Sequence, residues 1–561
     1  MIVDVAAATA LAPGEAPATP ARSTRIAGYV VTVLAVLAGF RLAWVSDDAL
    51  ITLRTALNAA HGWGWGFNAT EAVQGYTHPL WFLIWLGLGS LFGNWLLVIM
   101  VVGLTCTGIA VGLVFRRGTS GPRIVLVGGL LLLSTAFVEY ATSGLENPLG
   151  YLLFALILTL LWRQDDRVGT NPPDTVGALG PIALGLLAAA AFLTRMDYSL
   201  LLAPMALLWA WQHRSRPRDL TMAAVAAMVP VAAWFAWAYA TYGYVLPATY
   251  EAKTNIVGTP AEHVAAGLTY LKVSLTTDPA TALLLAVGVV VAIGWGTALL
   301  RAVMLGILAY LAYVVWIGGD FMVGRFLAVP VFLTSAMLVN VPVSFARLAR
   351  LPHLPAAPRW AGAVGGVVAV AATGYFLGQP SSTLAAPVEP RWSHREVSVT
   401  DERALWGGQV RGNLTRYLQD RSTGGVPAVP EFTGLSFQTV VMSLAQIERT
   451  ASDWPDAPAT PELPTDVTAG CGGLGVVALA SGPTHHWIDQ CALVDRFLAT
   501  QPGRKVPIVG QAGHYVREVP PGYPQALLTG DPQQVKDPEL AAQLTGIWER
   551  IRSQTAVSRA D

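Results

Sequence analysis

The sequence predicts a polytopic α-helical membrane protein followed by a smaller C-terminal α/β-type region. Three observations predict it. The 561 residues are 53% hydrophobic and only 12% charged, with a mean hydropathy of +0.50, too apolar for a soluble globule of this length. Apolar runs near bilayer length recur along the first 378 residues, and alternate loops between them carry Arg. After residue 379 the composition becomes that of an ordinary soluble domain. The 35 basic and 35 acidic residues cancel. No global field therefore points to nucleic acid as a partner, and the lipid bilayer is the expected one.

Residues 1–25, rich in Ala, Pro, Thr and Ser, read as a disordered cytoplasmic tail. Arg22 and Arg25 precede the run 26–45, which is too long for a signal-peptide core and reads as an uncleaved first span. The stretch from Asp47 to His78 then falls outside. Within it, residues 47–60 carry an amphipathic helical pattern, with Leu50, Leu53 and Leu57 on one stripe and Asp47, Arg54 and Asn58 on the other side. Gly62 suits its stop. Residues 79–92 are apolar but only 14 long. They read as an interfacial helix, which keeps Arg116, Arg117 and Arg123 inside. The outer loop with its juxtamembrane helices thus covers 47–93.

Further spans are expected near 94–115, 123–141, 148–162, 178–194, 197–212, 220–241, 280–300, 302–318, 325–345 and 360–378. With the first they make about eleven. The inner loops then hold Arg116/Arg117, Arg163/Arg167, Arg214/Arg216/Arg218, Arg301 and Arg347/Arg350. The membrane domain covers 26–378, and the odd count leaves 379–561 outside. In that region 474–479, after Gly472-Gly473, reads as a strand, and 492–499 and 539–551 show helical periodicity. Cys106 lies in an apolar run and reads as core. Cys471 and Cys491 would pair in an extracytoplasmic domain and stay reduced in a cytosolic one.

The inferred outer face collects Asp47, Asp48, His61, His78, Glu146, Arg195, Asp197, Glu251, Lys253, Asp320 and Arg325. Ionisable groups at span ends beside apolar walls are functional candidates, and each has a plainer reading. Asp47-Asp48 is either a helix-capping pair or a carboxylate pair that accepts a proton from a sugar hydroxyl. Tyr76, with Trp63, Trp65, Phe67 and Trp81, reads first as a membrane aromatic belt and second as a stacking platform. Glu146 sits in the turn Ser143–Pro148, and Arg195 with Asp197 forms an ion pair or a bidentate phosphate site. Asp320 and Arg325 flank glycines that let backbone approach a ligand. Asp47 and Asp48 are the catalytic candidates, and Arg195, Lys253 and Arg325 the phosphate candidates. His61, Tyr76, His78, Glu146, Asp197, Glu251 and Asp320 are the substrate-binding candidates. A divalent cation on Asp47, Asp48 and Glu146 is left open. Together these groups fit a lipid-linked sugar phosphate whose tail lies between spans.

The segments Asp47-Asp48-Ala49-Leu50-Ile51-Thr52-Leu53-Arg54 and Gln74-Gly75-Tyr76-Thr77-His78-Pro79-Leu80-Trp81 carry a resemblance. So do Thr142–Pro148, Leu193–Tyr198, Gly318–Met322 and Gly324-Arg325-Phe326. In the C-terminal part, Trp487-Ile488-Asp489, Leu493-Val494-Asp495, Gly513-His514-Tyr515 and Pro521-Gly522-Tyr523 extend it. Over about residues 26–530 the chain resembles the polyprenyl-phosphosugar-dependent GT-C glycosyltransferases. Within them it is most similar to the actinobacterial terminal arabinofuranosyltransferases. The resemblance implies a GT-C-type fold in the plasma membrane, with the active site and C-terminal domain on the periplasmic side. It also implies decaprenyl-phosphoryl-arabinofuranose as donor and the non-reducing ends of cell-wall arabinan as acceptor. The product linkage would be β-1,2, and Asp47 or Asp48 would be the catalytic carboxylate. Donor and product are both β-linked in that family, which means net retention. Rival readings are a GT-C transferase for another prenyl-phosphate sugar such as mannose, a transporter, and a scaffold for a carbohydrate-binding domain. A transporter would favour mid-span charges and inverted repeats, and neither is seen.

Overall fold

The computed structural model describes residues 22–165, 179–341, 399–403, 410–411, 442–459, 463–505 and 514–557. The expected tail before residue 22, Arg167, the span near 360–378 and Arg347/Arg350 lie outside the described residues. So does the end of the run 325–345.

The chain begins with α1 (Arg22–Arg41), α2 (Asp47–Ala60), α3 (Pro79–Phe92) and α4 (Trp95–Phe115). It continues through α5 (Gly121–Leu133), α6 (Thr135–Val138), α7 (Asn147–Asp165), α8 (Leu179–Thr194) and α9 (Tyr198–Gln212). Then follow α10 (Pro217–Tyr242), α11 (Ala248–Thr254), α12 (Pro260–Thr277), α13 (Pro279–Trp295), α14 (Ala298–Trp316) and α15 (Ala328–Asn340). Among the described residues, α1, α4, α10 and α14 are long and apolar enough to cross a bilayer. Two bent pairs qualify jointly, α5 with the turn after it and α12 with α13, at 76° and 106°. Several apolar helices of this kind are the make-up of a polytopic membrane protein. Their outward residues remain apolar: Tyr29, Val33 and Leu37 on α1, Met228 and Val229 on α10, Leu305 on α14.

Helix packing follows small residues and breaks. α8 lies close along α10, where a side chain on Gly185 would stand 2.2 Å from the Ala223 carbonyl oxygen. The run 123–141, expected as one span, is broken at Ser134, and α12 was not foreseen as a helix. The two breaks meet. Asp278, 2% exposed, accepts from the Ala136 and Thr281 amides and from the Thr135 and Thr281 hydroxyls at 2.7–3.0 Å. One carboxylate therefore supplies acceptors to the open ends of two helices.

α3 has the boundaries expected of it, with Pro79 at its first position and Gly93 at its end. At about 1.5 Å per residue it is too short to span the roughly 30 Å hydrocarbon core. Its start meets the Glu146 turn through His78, and its end meets the C-terminal helix α16 (Leu444–Ser452), which bonds Gly93 and Leu96. The Arg-bearing turn 116–123 lies at the far end of α4, bonded to the end of α15.

The C-terminal part holds two short parallel pairs, β1 (Val410–Arg411) with β2 (Met442–Ser443), and β3 (Asp466–Gly470) with β4 (His485–Asp489). The segment 474–479, read as a strand, is instead the helix α17 (Leu474–Ser481) crossing between β3 and β4. A short apolar run does not separate the two states by pattern alone. Here Gly473 takes a left-handed conformation at the N-cap, and a carboxylate from α2 meets the first amides. The periodicity at 492–499 yields only α18 (Arg496–Ala499), because Ala492 turns the chain at φ 60°. After α19 (Tyr523–Thr529), the expected helix at 539–551 is α20 (Pro538–Val557). Leu474, Val476, Val477 and Trp487 share one apolar core with α2 and α3. The polar side of α2 is consequently not solvated: Asp47, Arg54 and Asn58 are 5%, 0% and 0% exposed.

Candidate active site

The turn after α6 is clasped from two sides. The Ser46 amide donates to the Ser143 carbonyl at 2.9 Å, and Trp81 Nε1 donates to the Gly144 carbonyl at 2.8 Å. This fixes Glu146 beside the start of α2. Asn147 Nδ2 then holds the Arg325 carbonyl at 3.1 Å, and Tyr270 accepts the Phe326 amide at 3.1 Å. Arg325 thereby enters the same space from the loop before α15.

Buried Glu146 is the hub. Its Oε1 accepts from Arg195 Nη1 at 2.7 Å and from Arg325 Nη2 at 3.5 Å, and its Oε2 lies 3.5 Å from His78 Nδ1. Burial alone would raise this carboxyl. Arg325, Arg195 and His78 together hold it well below the usual carboxylate range. Arg195 is a fixture. It grips Asp197 with Nε at 2.9 Å and Nη2 at 2.5 Å, and lies 4.7 Å from the Phe326 ring centre. Arg325 turns its other side to Asp48, 3.2 Å from Nη1, and to Asp320 at 3.7 Å. His78 also meets the Thr52 hydroxyl through Nε2 at 2.9 Å. Burial pushes its imidazole down to about 4, against the pull of Glu146, so it is neutral at neutral pH. Exposed Lys253, on α11, stands within electrostatic reach of Asp320, Arg325, Asp48 and Arg195.

Four buried atoms in this cluster lack hydrogen-bond partners among the described residues: Arg325 Nε, Asp320 Oδ2, His78 Nδ1 and Glu146 Oε2. Buried groups left in that state ordinarily meet a ligand or water. The side chain of Asp48, 27% exposed, is the most open carboxylate of the Arg325 network.

Asp47 points elsewhere. Its Oδ2 accepts the Gly475 amide at 3.0 Å and its Oδ1 the Val476 amide at 2.9 Å, so it caps α17 from another helix. Burial raises its carboxyl to about 7 despite those two amides. Asp47 and Asp48 also line a small, partly open cleft together with Asp489, Glu402, Phe321 and His514. Burial raises Asp489 to about 6, although the amides of Cys491, Leu493 and Val494 all donate to it.

The remaining candidates stand apart. His61 ends α2, roughly 20 Å along the helix from Asp47, and pairs with exposed Asp456. Tyr76 is buried, bonded to the Tyr242 hydroxyl at 2.8 Å and stacked on Phe82, so it is packing and no open platform. Glu251 pairs with Arg496 and ties α11 to α18. Cys471 and Cys491 are joined as a disulfide beside the ends of β3 and β4. Both oxygens of Asp47 are spent on amides, and Oε1 of Glu146 on two guanidinium groups. Among the described residues no three His, Cys, Asp or Glu side chains gather in a way that could hold a metal ion. Arg54, on the side of α2 opposite the Leu stripe, is buried and donates to the Phe67, Ala478 and His485 carbonyls. Glu402 was not singled out, because nothing local in its sequence marks it.

No protein-family model matches the chain, and no solved structure matches it. Two curated proteins do. One is a terminal beta-(1->2)-arabinofuranosyltransferase of Corynebacterium glutamicum, 30% identical over 365 residues, or 57% of this chain and 51% of the relative. The other is a terminal beta-(1->2)-arabinofuranosyltransferase of Mycobacterium tuberculosis, 28% identical over 241 residues, or 40% of this chain and 37% of the relative. The chain thus spans about half the length of the first relative it matches and less of the second.

Proposed function

We propose that this chain is a membrane glycosyltransferase of GT-C type that transfers arabinofuranose from decaprenyl-phosphoryl-arabinofuranose to the non-reducing ends of cell-wall arabinan. The observation that carries the reading is the buried network Arg195–Glu146–Arg325–Asp48 at one end of an apolar helical bundle. The likeness to two terminal arabinofuranosyltransferases supplies the sugar. In this reading about eleven spans cross the plasma membrane, and the network and residues 379–561 face the periplasm. The Arg-bearing turn at the far end of α4 favours that orientation, since short cytoplasmic loops concentrate Arg.

The donor phosphate meets Lys253 and Nε of Arg325, while Arg195 locks Glu146 and sets the pose of Arg325. The bond from the anomeric carbon to the phosphate oxygen breaks, and the phosphate leaves with the electron pair. The acceptor hydroxyl forms the new bond and gives its proton to Asp48, directly or through water. Retention requires either that departure and attack share a face or that Asp48 first forms a glycosyl ester. Trapping that ester with a slow fluorinated donor would separate the two routes.

The deciding assay uses purified protein in detergent, synthetic prenyl-phosphoryl-arabinofuranose and a short arabinan acceptor. Transfer forming a β-1,2 linkage is expected. Transfer only from a mannose or other prenyl-phosphate donor would keep the fold and discard the sugar. Net movement of lipid without transfer would discard the enzyme.

A further inference from the structure

We propose that Arg517, in the C-terminal part of the chain, is a positioning residue for the donor: it clamps the end of α11 and so keeps Lys253 beside Arg325, where the donor phosphate binds. The inference rests on the transferase reading and gives the C-terminal part a share in donor binding. Arg517 is 1% exposed. Its Nη2 donates to the Ala252 carbonyl at 2.6 Å and the Asn255 carbonyl at 3.2 Å, one on each side of Lys253. Its Nη1 donates to the Cys491 carbonyl at 3.0 Å and the Tyr515 carbonyl at 2.6 Å, and its Nε to the Gln501 carbonyl at 3.3 Å. One guanidinium thus ties α11 to the turn after β4 and to the loop after α18.

α11 needs such a hold. It has seven residues, too few to be stable on its own, and the last carbonyls of a helix lack partners within it. A cation on those carbonyls also suits the negative end of the helix. The remaining ties of this end run to the same part of the chain. Asn255 Nδ2 donates to the Thr500 carbonyl at 2.6 Å, the Val257 amide to the Gly503 carbonyl at 2.8 Å, and the Gly503 amide to the Asn255 carbonyl at 3.0 Å. Lys253 is left to face the site: its side chain is exposed and stands within electrostatic reach of Asp320, Arg325, Asp48 and Arg195. Five donors in a rigid fork are what this job requires, and the point charge of a lysine cannot reproduce them. The slot is cut to the guanidinium, since a side chain on Gly503 would stand 2.8 Å from Arg517 Cζ and 2.9 Å from its Nη2.

A double-mutant cycle in the full-length protein tests this, with Lys253→Ala and Arg517→Met alone and together. Asn255→Ala, which removes a side chain from the same end of α11 at a half-buried position, takes the place of Arg517→Met where that variant does not fold. Binding of synthetic prenyl phosphate is measured by calorimetry, and KM for donor and acceptor in the transfer assay. Each single variant is expected to weaken prenyl-phosphate binding and raise donor KM by about tenfold, with acceptor KM within about twofold. The double variant is expected to be no worse than Lys253→Ala, because both changes remove one contact. Arg517→Lys is expected not to rescue. Amide exchange should quicken over residues 248–255 while α20 stays protected. Additive losses of about a hundredfold in the double variant overturn the proposal, as does unchanged donor KM in a folded Arg517→Met or Asn255→Ala protein. Exchange that rises equally in α20 also overturns it, since Arg517 would then serve the fold at large. If the wild type binds prenyl phosphate but transfers nothing, the transferase reading fails and the cycle on binding still decides: coincident losses keep the proposal, and additive ones remove it. A wild type that binds no prenyl phosphate removes both.

Discussion

Arg325 Nη1 stands 3.2 Å from Asp48 Oδ2, across 277 positions of sequence. Asp48's neighbour Asp47 is committed to two amides of α17. The two adjacent carboxylates thus have separate duties, one toward the reaction space and one toward the fold. Asp48→Asn is expected to lower transfer by about 10²-fold or more, as loss of a positioned proton acceptor does, with little change in melting temperature. Asp47→Ala is expected to cost about 1–2 kcal/mol, since it strips a helix N-terminus of its cap. Activity per folded molecule and melting temperature, measured on both variants, separate the roles. Equal loss of activity in both, with both folded, would reunite the carboxylates as a working pair.

The same contact sets a pH dependence. The Asp47 carboxyl is raised from 3.8 to about 7. An acid whose pKa is raised binds its proton more tightly in the folded state, so this group favours folding at low pH. Its contribution declines as pH climbs from about 4 and reaches its floor above about 7. Relative to Asp47→Asn, the wild type is therefore expected to lose melting temperature as pH rises from about 5 to 8. His78 has the opposite sign, because its lowered pKa penalises the fold as pH falls below its ordinary 6.5 toward about 4. Parallel melting curves for wild type and Asp47→Asn across that range would contradict the Asp47 assignment.

Most of the helices, and the gathering of Asp48, Glu146, Arg195, Asp197, Asp320 and Arg325, were legible in the sequence. Hydropathy, Pro79 at a helix start and charged residues between apolar runs are local signals. What was not legible is how the C-terminal part docks. Arg54 looks solvated on a helical wheel, yet its guanidinium meets three carbonyls, two of them more than 400 positions away. Asp47 is likewise spent on a helix that the pattern took for a strand. Tyr76 failed as a platform for the same reason: only its partner Tyr242, on α10, shows that its hydroxyl faces inward.

Lys253 and Arg325 divide the charge that meets an anionic donor. Lys253 is exposed, so Lys253→Ala is expected to raise donor KM by about tenfold at low salt, less at high salt, with stability unchanged. Arg325→Lys keeps the charge but loses the fork joining Asp48 and Glu146, and it is expected to lower kcat as well. Steady-state kinetics at two ionic strengths distinguish the two. A salt-independent defect in Lys253→Ala would remove it from the donor's path.

Fixed cations bear on metal dependence. Arg195 and Arg325 already place two positive charges on Oε1 of Glu146, and backbone amides occupy both oxygens of Asp47. Positive charge at the departing phosphate is available from Arg325 and Lys253. Transfer is therefore expected to be unchanged by EDTA. A loss in EDTA restored by Mg²⁺ or Ca²⁺ would bring the cation back, with Asp48 and Asp320 as its first ligands to test.

A single methyl group tests how far the docking of α17 governs the site. A side chain on Gly475 would lie 2.2 Å from the Asp47 carbonyl oxygen and 2.9 Å from its Oδ1, so α17 cannot keep its place once Cβ is present. Gly475→Ala leaves every polar group of the Arg325 network intact, and its effect must pass through the spacing of α2 and α17. Overpacking of this kind costs about 1–3 kcal/mol. Because Leu474 of α17 also lines the cleft beside Asp48, transfer per folded molecule is expected to fall as well. Replacing the position with Ser should not rescue either loss, since Ser also carries Cβ. A Gly475→Ala protein with wild-type melting temperature and wild-type transfer would mean that α17 yields without disturbing α2, and the tie between the Asp47 contact and the site would fall.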